Sequence, residues 1–311
     1  MIRVTLLGTA ASRPTVGRNV SAVSIQREGE SWLFDCGEGT QRQMMRFGTG
    51  FGISGIFVTH MHADHFLGIV GLLRTLALQG RTEPLLVAGP RGARSLLSET
   101  VHLGVTRVPF PVRIVEMEPG DAIPGDGFEI AAIEVEHGTP AVGYSLREFP
   151  RPGRFDVERA RSLGVPEGPL FGRLHAGESV EVDGRTIRPQ EVVGPERPGR
   201  KVVYTGDTAP VASVVAEAEG AQLLVHDATF GDDEVSRARD TFHTTARQAA
   251  EVGRRAGVER LVLTHLSARY AANPSPLQAQ ARRVFPGAVV GSDGLELEIG
   301  YPRDPSDNGA G

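Results

Sequence analysis

Thr59-His60-Met61-His62-Ala63-Asp64-His65-Phe66-Leu67-Gly68 decides how the chain is read. It follows Ile56 to Thr59, a short apolar run with the look of a buried strand, and places three imidazoles and a carboxylate within six residues. That donor set is the ligand chemistry of zinc-type metals. In an extended stretch His60 and His62 point to the same side, so both reach one ion, while Asp64 and His65 follow the turn and can face another. With only 9 histidines in 311 residues, three in six positions are not an incidental polar turn.

One loop cannot complete two metal shells, so further ligands must come from other strand ends. His137 follows the strand pattern Phe128 to Glu136, Asp207 follows Lys201 to Thr205, and His265 follows Arg260 to Thr264. A lone histidine after a strand is usually a hydrogen-bonded structural residue; three candidate ligands placed alike beyond apolar runs, beside the His60 loop, suggest strands converging on one edge. An aspartate such as Asp207 can bridge two cations, one oxygen to each.

Around these residues, strand patterns run over Ile2 to Leu7, Val20 to Gln26, Trp32 to Asp35, Val112 to Met117, Gly143 to Leu146 and Gln222 to His226. Helical patterns cover Glu38 to Phe47, Gly68 to Gln79, Val211 to Glu219 and Thr245 to Arg255. Strands and helices mix in both halves, which predicts an α/β chain of two sheets covered by helices. Between the halves, Phe149 to Gly199 carries Pro150, Pro152, Pro166, Pro169, Pro189, Pro195 and Pro198 among many glycines. That reads as an irregular inserted arm. The expected division is therefore 1–148 with 200–300 as one domain, 149–199 as the arm, and 301–311 as a disordered tail.

Composition sets the surroundings. Apolar residues are 40% and charged residues 23%, so the chain is globular rather than disordered. The single cysteine, Cys36, closes no intramolecular disulfide, which fits a reducing compartment. Phe66 to Leu78 is far shorter than the ~20 residues a spanning helix needs, and Met1 to Gly8 has no signal-peptide pattern. A soluble cytoplasmic protein without a membrane partner is expected. The net charge of −5 gives no general attraction to nucleic acid; a polyanion would need a local basic surface or bound cations. Of the 33 basic residues only Lys201 is not Arg; codon bias accounts for this simply, and Arg forks also suit phosphate oxygens.

His60-x-His62-x-Asp64-His65, with His137, Asp207 and His265 downstream, resembles the metallo-β-lactamase superfamily over nearly the whole chain. The resemblance implies a four-layered αββα sandwich with a dinuclear zinc site: His60, His62 and His137 on one Zn2+, Asp64, His65 and His265 on the other, Asp207 bridging. Mn2+ or Fe2+ would satisfy the same donors. Superfamily membership does not choose a substrate. Leu7-Gly8-Thr9, Arg18-Asn19-Val20, Phe34-Asp35-Cys36-Gly37-Glu38-Gly39-Thr40-Gln41-Arg42-Gln43, Val225-His226-Asp227-Ala228-Thr229-Phe230 and Thr264-His265-Leu266-Ser267-Ala268-Arg269-Tyr270 are similar to the ribonuclease Z family, and Gly164-Val165-Pro166-Glu167-Gly168-Pro169 matches the Gly-Pro motif of that family's arm.

That resemblance implies a zinc-dependent endoribonuclease that removes the 3′ trailer from precursor tRNA by phosphodiester hydrolysis, leaving a 3′-hydroxyl. The arm would be a tRNA-binding exosite, and the enzyme a homodimer. Two cations would activate a shared water for in-line attack on phosphorus, with Asp64 as general base and His243 as general acid or phosphate binder. Where the family carries Pro-x-Lys-x-Arg-Asn, this chain has Pro14-Thr15-Val16-Gly17-Arg18-Asn19; the valine bears on discrimination against CCA-bearing tRNA and on cleavage position, not on hydrolysis. From Arg147 to Arg200 ten Arg face nine Asp plus Glu, so the arm must gather positive charge locally.

The competing reading is a small-molecule phosphodiesterase or arylsulfatase-like hydrolase with the same centre. A catalytically silent RNA-binding protein is a third, and it leaves the clustering of costly polar groups unexplained. His226 and Asp227 are candidates for orienting a metal-bound imidazole. Arg269 and Tyr270 could contact RNA or form a plain surface pair, and His102 and His175 read as surface residues.

Overall fold

Alternation along the first strands sends their side chains to two different cores. Ile2, Val4, Leu6, Val23, Ile25, Trp32, Phe34 and Phe57 enter one, whereas Leu7, Ala22, Leu33, Ile56 and Val58 enter another. A strand buried on both faces loses the apolar-polar alternation of an exposed sheet and reads as a near-continuous apolar run. A computed structural model describes residues 1–104 and 107–302.

Strands β1 (Ile2–Gly8), β2 (Ala22–Arg27), β3 (Glu30–Phe34), β4 (Gly55–Phe57), β5 (Leu85–Pro90) and β6 (Val112–Met117) build the first sheet. The second begins with β7 (Ala122–Gly125), β8 (Phe128–Glu134) and β9 (Val142–Glu148). A separate hairpin, β10 (Val180–Val182) and β11 (Arg185–Ile187), lies in the insert. The second sheet is completed by β12 (Lys201–Tyr204), β13 (Leu223–Asp227), β14 (Leu261–Thr264) and β15 (Val289–Val290), and β16 (Glu296–Ile299) returns to pair antiparallel with β1. Both sheets have seven strands and are mixed. The inter-sheet core joins Trp32, Phe34 and Phe57 to Phe128, Tyr144, Val202 and Val225, with Trp32 against Phe128 at 5.0 Å and Phe57 against Tyr144 at 5.3 Å between centroids.

Helices α1 (Thr40–Phe47), α2 (Ala63–Phe66), α3 (Gly68–Leu78) and α4 (Arg94–His102) accompany the first sheet, where Met44, Ile69, Leu72, Leu76 and Leu97 close the outer core. In the insert are α5 (Val157–Ser162) and α6 (Pro169–His175). On the second sheet, α7 (Ala212–Glu217), α9 (Ala246–Ala256) and α10 (Ser275–Arg282) contribute Val214, Ala249, Ala250, Leu277 and Ala281, with α8 (Val235–Asp240) preceding α9. Helix, sheet, sheet, helix is the four-layered αββα sandwich. Helix α9 starts at a capping box of Thr245 and Gln248 and stops at Gly257 in the left-handed region.

Packing divides the chain into one unit of Met1–Arg147 with Lys201–Gly300 and a second of Glu148–Arg200 joined by 301–302. The second unit is more regular than its prolines suggested. Pro169 opens α6 at its first turn, where a missing N–H loses nothing, and Asp183-Gly184, both at positive φ, make the two-residue turn of the β10–β11 hairpin. Ala160, Val165, Leu174, Val180, Ile187 and Val192 form its own core. Glu148 and Arg200, almost fully buried, pair at 2.6 Å where the insert begins and ends. Tyr301, where the loose tail was expected to start, lies 3.2 Å below the Arg151 guanidinium; the remainder of that segment, from 303 on, is outside the described residues.

Arg200→Ala removes the buried guanidinium that pairs with the Glu148 carboxylate at 2.6 Å and should destabilise the insert by about 3–5 kcal/mol. Urea denaturation combined with limited proteolysis between 149 and 199 checks this.

Candidate metal centre

Six loops meet where β3, β4, β8, β12, β13 and β14 end. Asp35, immediately after β3, sits at φ 58° and is completely buried. Its carboxylate accepts from the Thr59 N–H at 2.7 Å, the Thr59 hydroxyl at 3.0 Å and the Tyr204 hydroxyl at 2.7 Å. It also accepts from His65 Nδ1 at 2.7 Å, which turns His65 Nε2 toward the cluster. The histidine loop is pressed onto this strand end: a Cβ on Gly37 would stand 2.2 Å from the Asp64 carbonyl oxygen, and one on Gly68 1.9 Å from that of Gly37. Only glycine permits so close a backbone approach.

Every residue singled out as a ligand arrives at this edge. His60, His62, His137 and Asp207 bring one donor atom each within 4.8 Å of one another. His62 Nδ1 lies 3.0 Å from His60 Nε2 and 3.3 Å from His137 Nε2, close to the about 3.3 Å separation of nitrogens bound tetrahedrally to zinc at about 2.0–2.1 Å. Asp64, His65 and His265 form a second group on the same criterion: Asp64 Oδ2 is 3.5 Å from His65 Nε2 and 3.4 Å from His265 Nε2. Asp207 stands between the groups, with Oδ2 3.6 Å from His60 Nε2 and 3.4 Å from His65 Nε2, and Oδ1 3.3 Å from His265 Nδ1.

Two atoms at the centre, His65 Nε2 and Asp207 Oδ1, are buried without a hydrogen-bond partner. Unpaired buried nitrogen and oxygen atoms inside a ring of imidazoles and carboxylates fit cations, and the His/Asp groups are compatible with a dinuclear metal site. The electrostatics agree. Burial alone would push Asp207 and Asp64 up, but His265 and His65 outweigh it and hold both well below the usual carboxylate range. His60 is pushed well below its ordinary value by burial and then by the charge of His65, which leaves it a neutral ligand type. The field that raises His65, from Asp207 and Asp35 against its burial, would equally favour a divalent cation.

Beside the centre, His243 Nδ1 contacts Asp227 Oδ2 at 2.8 Å, and its ring stacks on His265 at 5.2 Å. Burial opposes protonation of His243, yet the Asp227 charge and hydrogen bond raise it to about 9. Asp227 also accepts from Thr229, whose hydroxyl lies 2.9 Å from His265 Nδ1. Its neighbour His226 points elsewhere, with Nδ1 2.8 Å from the Asp227 carbonyl oxygen. Arg269 and Tyr270 both donate to Glu234, at 3.0 and 2.8 Å. His102 caps its own helix on the Ser98 carbonyl at 2.7 Å, and His175 reaches Gly153 O at 3.0 Å. Val16 is fully exposed. Asp35, Thr229 and the Ser12 N–H, which donates to Asp64 at 2.7 Å, had no role in the sequence reading; the one signal available was an aspartate ending a strand before Cys36-Gly37.

Residues 15–185 match the family model of the metallo-beta-lactamase superfamily, and 184–266 that of the beta-lactamase superfamily domain. Ribonuclease Z of Myxococcus xanthus is 52% identical over 301 residues, 96% of this chain and 98% of that one. The chain belongs to the ribonuclease Z family. Ribonuclease Z of Haloferax volcanii is 55% identical over 303 residues, covering 96% of each chain. Among solved structures, human tRNase Z, short form, superposes with a TM-score of 0.70 at 28% identity, over 96% of this chain and 99% of that one. A ribonuclease Z is a metal-dependent endonuclease that processes tRNA, and no helix among the described residues here is long and apolar enough to cross a membrane.

Asp35→Asn keeps the shape and removes the charge that orients His65. We expect metal affinity to fall about 10–100-fold, measured by titration of the metal-stripped protein.

Proposed function

We propose that this chain cleaves precursor tRNA at the 3′ end with two zinc ions held by His60, His62 and His137 on one side, Asp64, His65 and His265 on the other, and Asp207 between. The observation that carries the reading is the joint one: full-length likeness to ribonuclease Z, and a His60/His62/His137/Asp207 group whose aspartate also lies 3.4 Å from His65 and 3.3 Å from His265 of the Asp64/His65/His265 group. When bound, the cations supply Lewis acidity and lower the pKa of water near the scissile phosphate.

The chain's own groups divide the remaining work. Asp64, ionised and fixed by the Ser12 N–H, accepts the proton of the attacking water. His243, protonated against Asp227, gives a proton to the leaving 3′-oxygen, so the tRNA keeps its hydroxyl and the trailer keeps the phosphate. Asp35 and Thr229 hold His65 and His265 so that neither ring must reorganise during the reaction. The insert, with its own core, serves as the tRNA-binding arm that selects this substrate over small phosphodiesters. Pairing of two copies in the cytoplasm, one copy's arm serving the other's site, belongs to the same reading and is tested by the mass of the protein in solution.

Incubation with 3′-extended precursor tRNA, with and without encoded CCA, should give a single new 3′-hydroxyl end, abolished by chelation and restored by added Zn2+ or Mn2+; mapped ends report the effect of Val16. Uncut precursor in the presence of metal would overturn the reading. His243→Ala should lower kcat by about 10²–10⁴-fold with metal content unchanged, whereas Asp64→Ala should lower both. Deleting 150–198 should abolish tRNA cleavage and spare bis(p-nitrophenyl) phosphate hydrolysis.

A further inference from the structure

A cleft of about 540 Å3 opens directly beside His243, lined by Arg13, Arg237, Arg269, Ser12, Thr241 and Ser267. No aspartate or glutamate lines it, in a chain whose net charge is −5. We infer, on the tRNA-cleaving reading above, that this cleft is an anion subsite holding the backbone phosphate of the nucleotide immediately 5′ of the scissile bond.

Three guanidiniums and four hydroxyls, those of Ser12, Thr229, Thr241 and Ser267, around an open cavity are the donor chemistry of a phosphodiester. The guanidiniums are held ready for it. Glu234, itself outside the lining, accepts from Arg269 Nη1 at 3.0 Å and lies 3.9 Å from Arg237 Nη1. Arg237 is further fixed over the Phe230 ring at 5.6 Å. Both side chains remain about half exposed, at 52% and 50%. Arg269 thus spends one nitrogen on Glu234, and the rest of its fork meets no other carboxylate among the described residues. Arg13 meets none either.

The direction follows from the chemistry of the cut. The leaving 3′-oxygen belongs to the ribose on the tRNA side of the scissile phosphate, and His243, which would protonate it, forms the inner edge of this cleft. The ribose bearing that oxygen therefore enters here, and its 5′-phosphate continues outward to the arginines. The trailer leaves on the opposite side of the scissile phosphorus.

A coupling experiment separates this from general electrostatics. Precursor tRNA is made with one neutral methylphosphonate linkage, either at the phosphate just 5′ of the cut or at the first linkage within the trailer. For the unaltered enzyme, neutralising the 5′ linkage should raise KM about tenfold. Arg269→Ala should raise KM about tenfold on the all-phosphate substrate and flatten the slope of log(kcat/KM) against log[salt] by about 1. On the 5′-neutral substrate the same variant should show no further loss, the mark of a shared interaction. Additive losses, or coupling to the trailer linkage instead, would overturn the inference. Metal content and thermal midpoint verify the fold; should Arg269→Ala not fold, Arg237→Gln enters the same cycle. Failure of the unaltered enzyme to cut the all-phosphate substrate would instead count against the tRNA-cleaving reading itself.

Discussion

A carboxylate buried with four hydrogen bonds is the constraint on which the centre depends. Asp35 joins the end of β3 to the start of the histidine loop through Thr59, to the loop's last histidine through His65, and to the second sheet through Tyr204. An unpaired carboxylate at that depth would be prohibitive, so each of these partners must be in place for the chain to fold as it does. The two sheets are in this way registered against each other at the edge where the chemistry takes place. The aromatic contacts of Phe34 with Tyr144 and Tyr204 register them just beneath.

The apolar layers and the polar edge make opposite demands, and the topology reconciles them. The central strands β4, β12 and β14 are buried almost throughout, so they cannot slide; their metal-centre residues appear just where the strands stop. The price is a set of buried imidazoles and carboxylates whose charges disagree when considered singly: His60 driven neutral, His65 driven positive, Asp207 and Asp64 held anionic. Divalent cations resolve that disagreement better than protons do, because they satisfy neutral and anionic ligands together. His243 lies just outside this circle, where its own aspartate sets its protonation.

Much of this was legible before any coordinates. The spacing of His60, His62, Asp64 and His65 has few other uses, and the placement of His137, Asp207 and His265 just after apolar runs anticipated their convergence. Less visible were β5, whose Gly89-Pro90 end looks like a turn, and α4, whose N-cap Ala93 offers no side-chain cap. The insert reads as irregular because proline and glycine usually break regular structure, although Pro169 starts a helix and Asp183-Gly184 closes a hairpin. The role of Asp35 is hidden in the sequence, since nothing local tells that a left-handed aspartate will reach residues 24, 30 and 169 positions away. Glu234 was missed for a similar reason: its worth lies in which cations it gathers.

The insert enters and leaves the fold at one point. The Glu148 N–H bonds the Arg200 carbonyl at 2.9 Å, directly beyond the last rung where Arg147 faces Lys201 across the β9–β12 ladder. A loop closed by such a rung can be lengthened, shortened or exchanged as a cassette without shifting the register of the strands that present His137 and Asp207. The insert and the strands that carry the metal-centre residues are therefore free to diverge separately, and a graft at this pair is the natural place to exchange the insert.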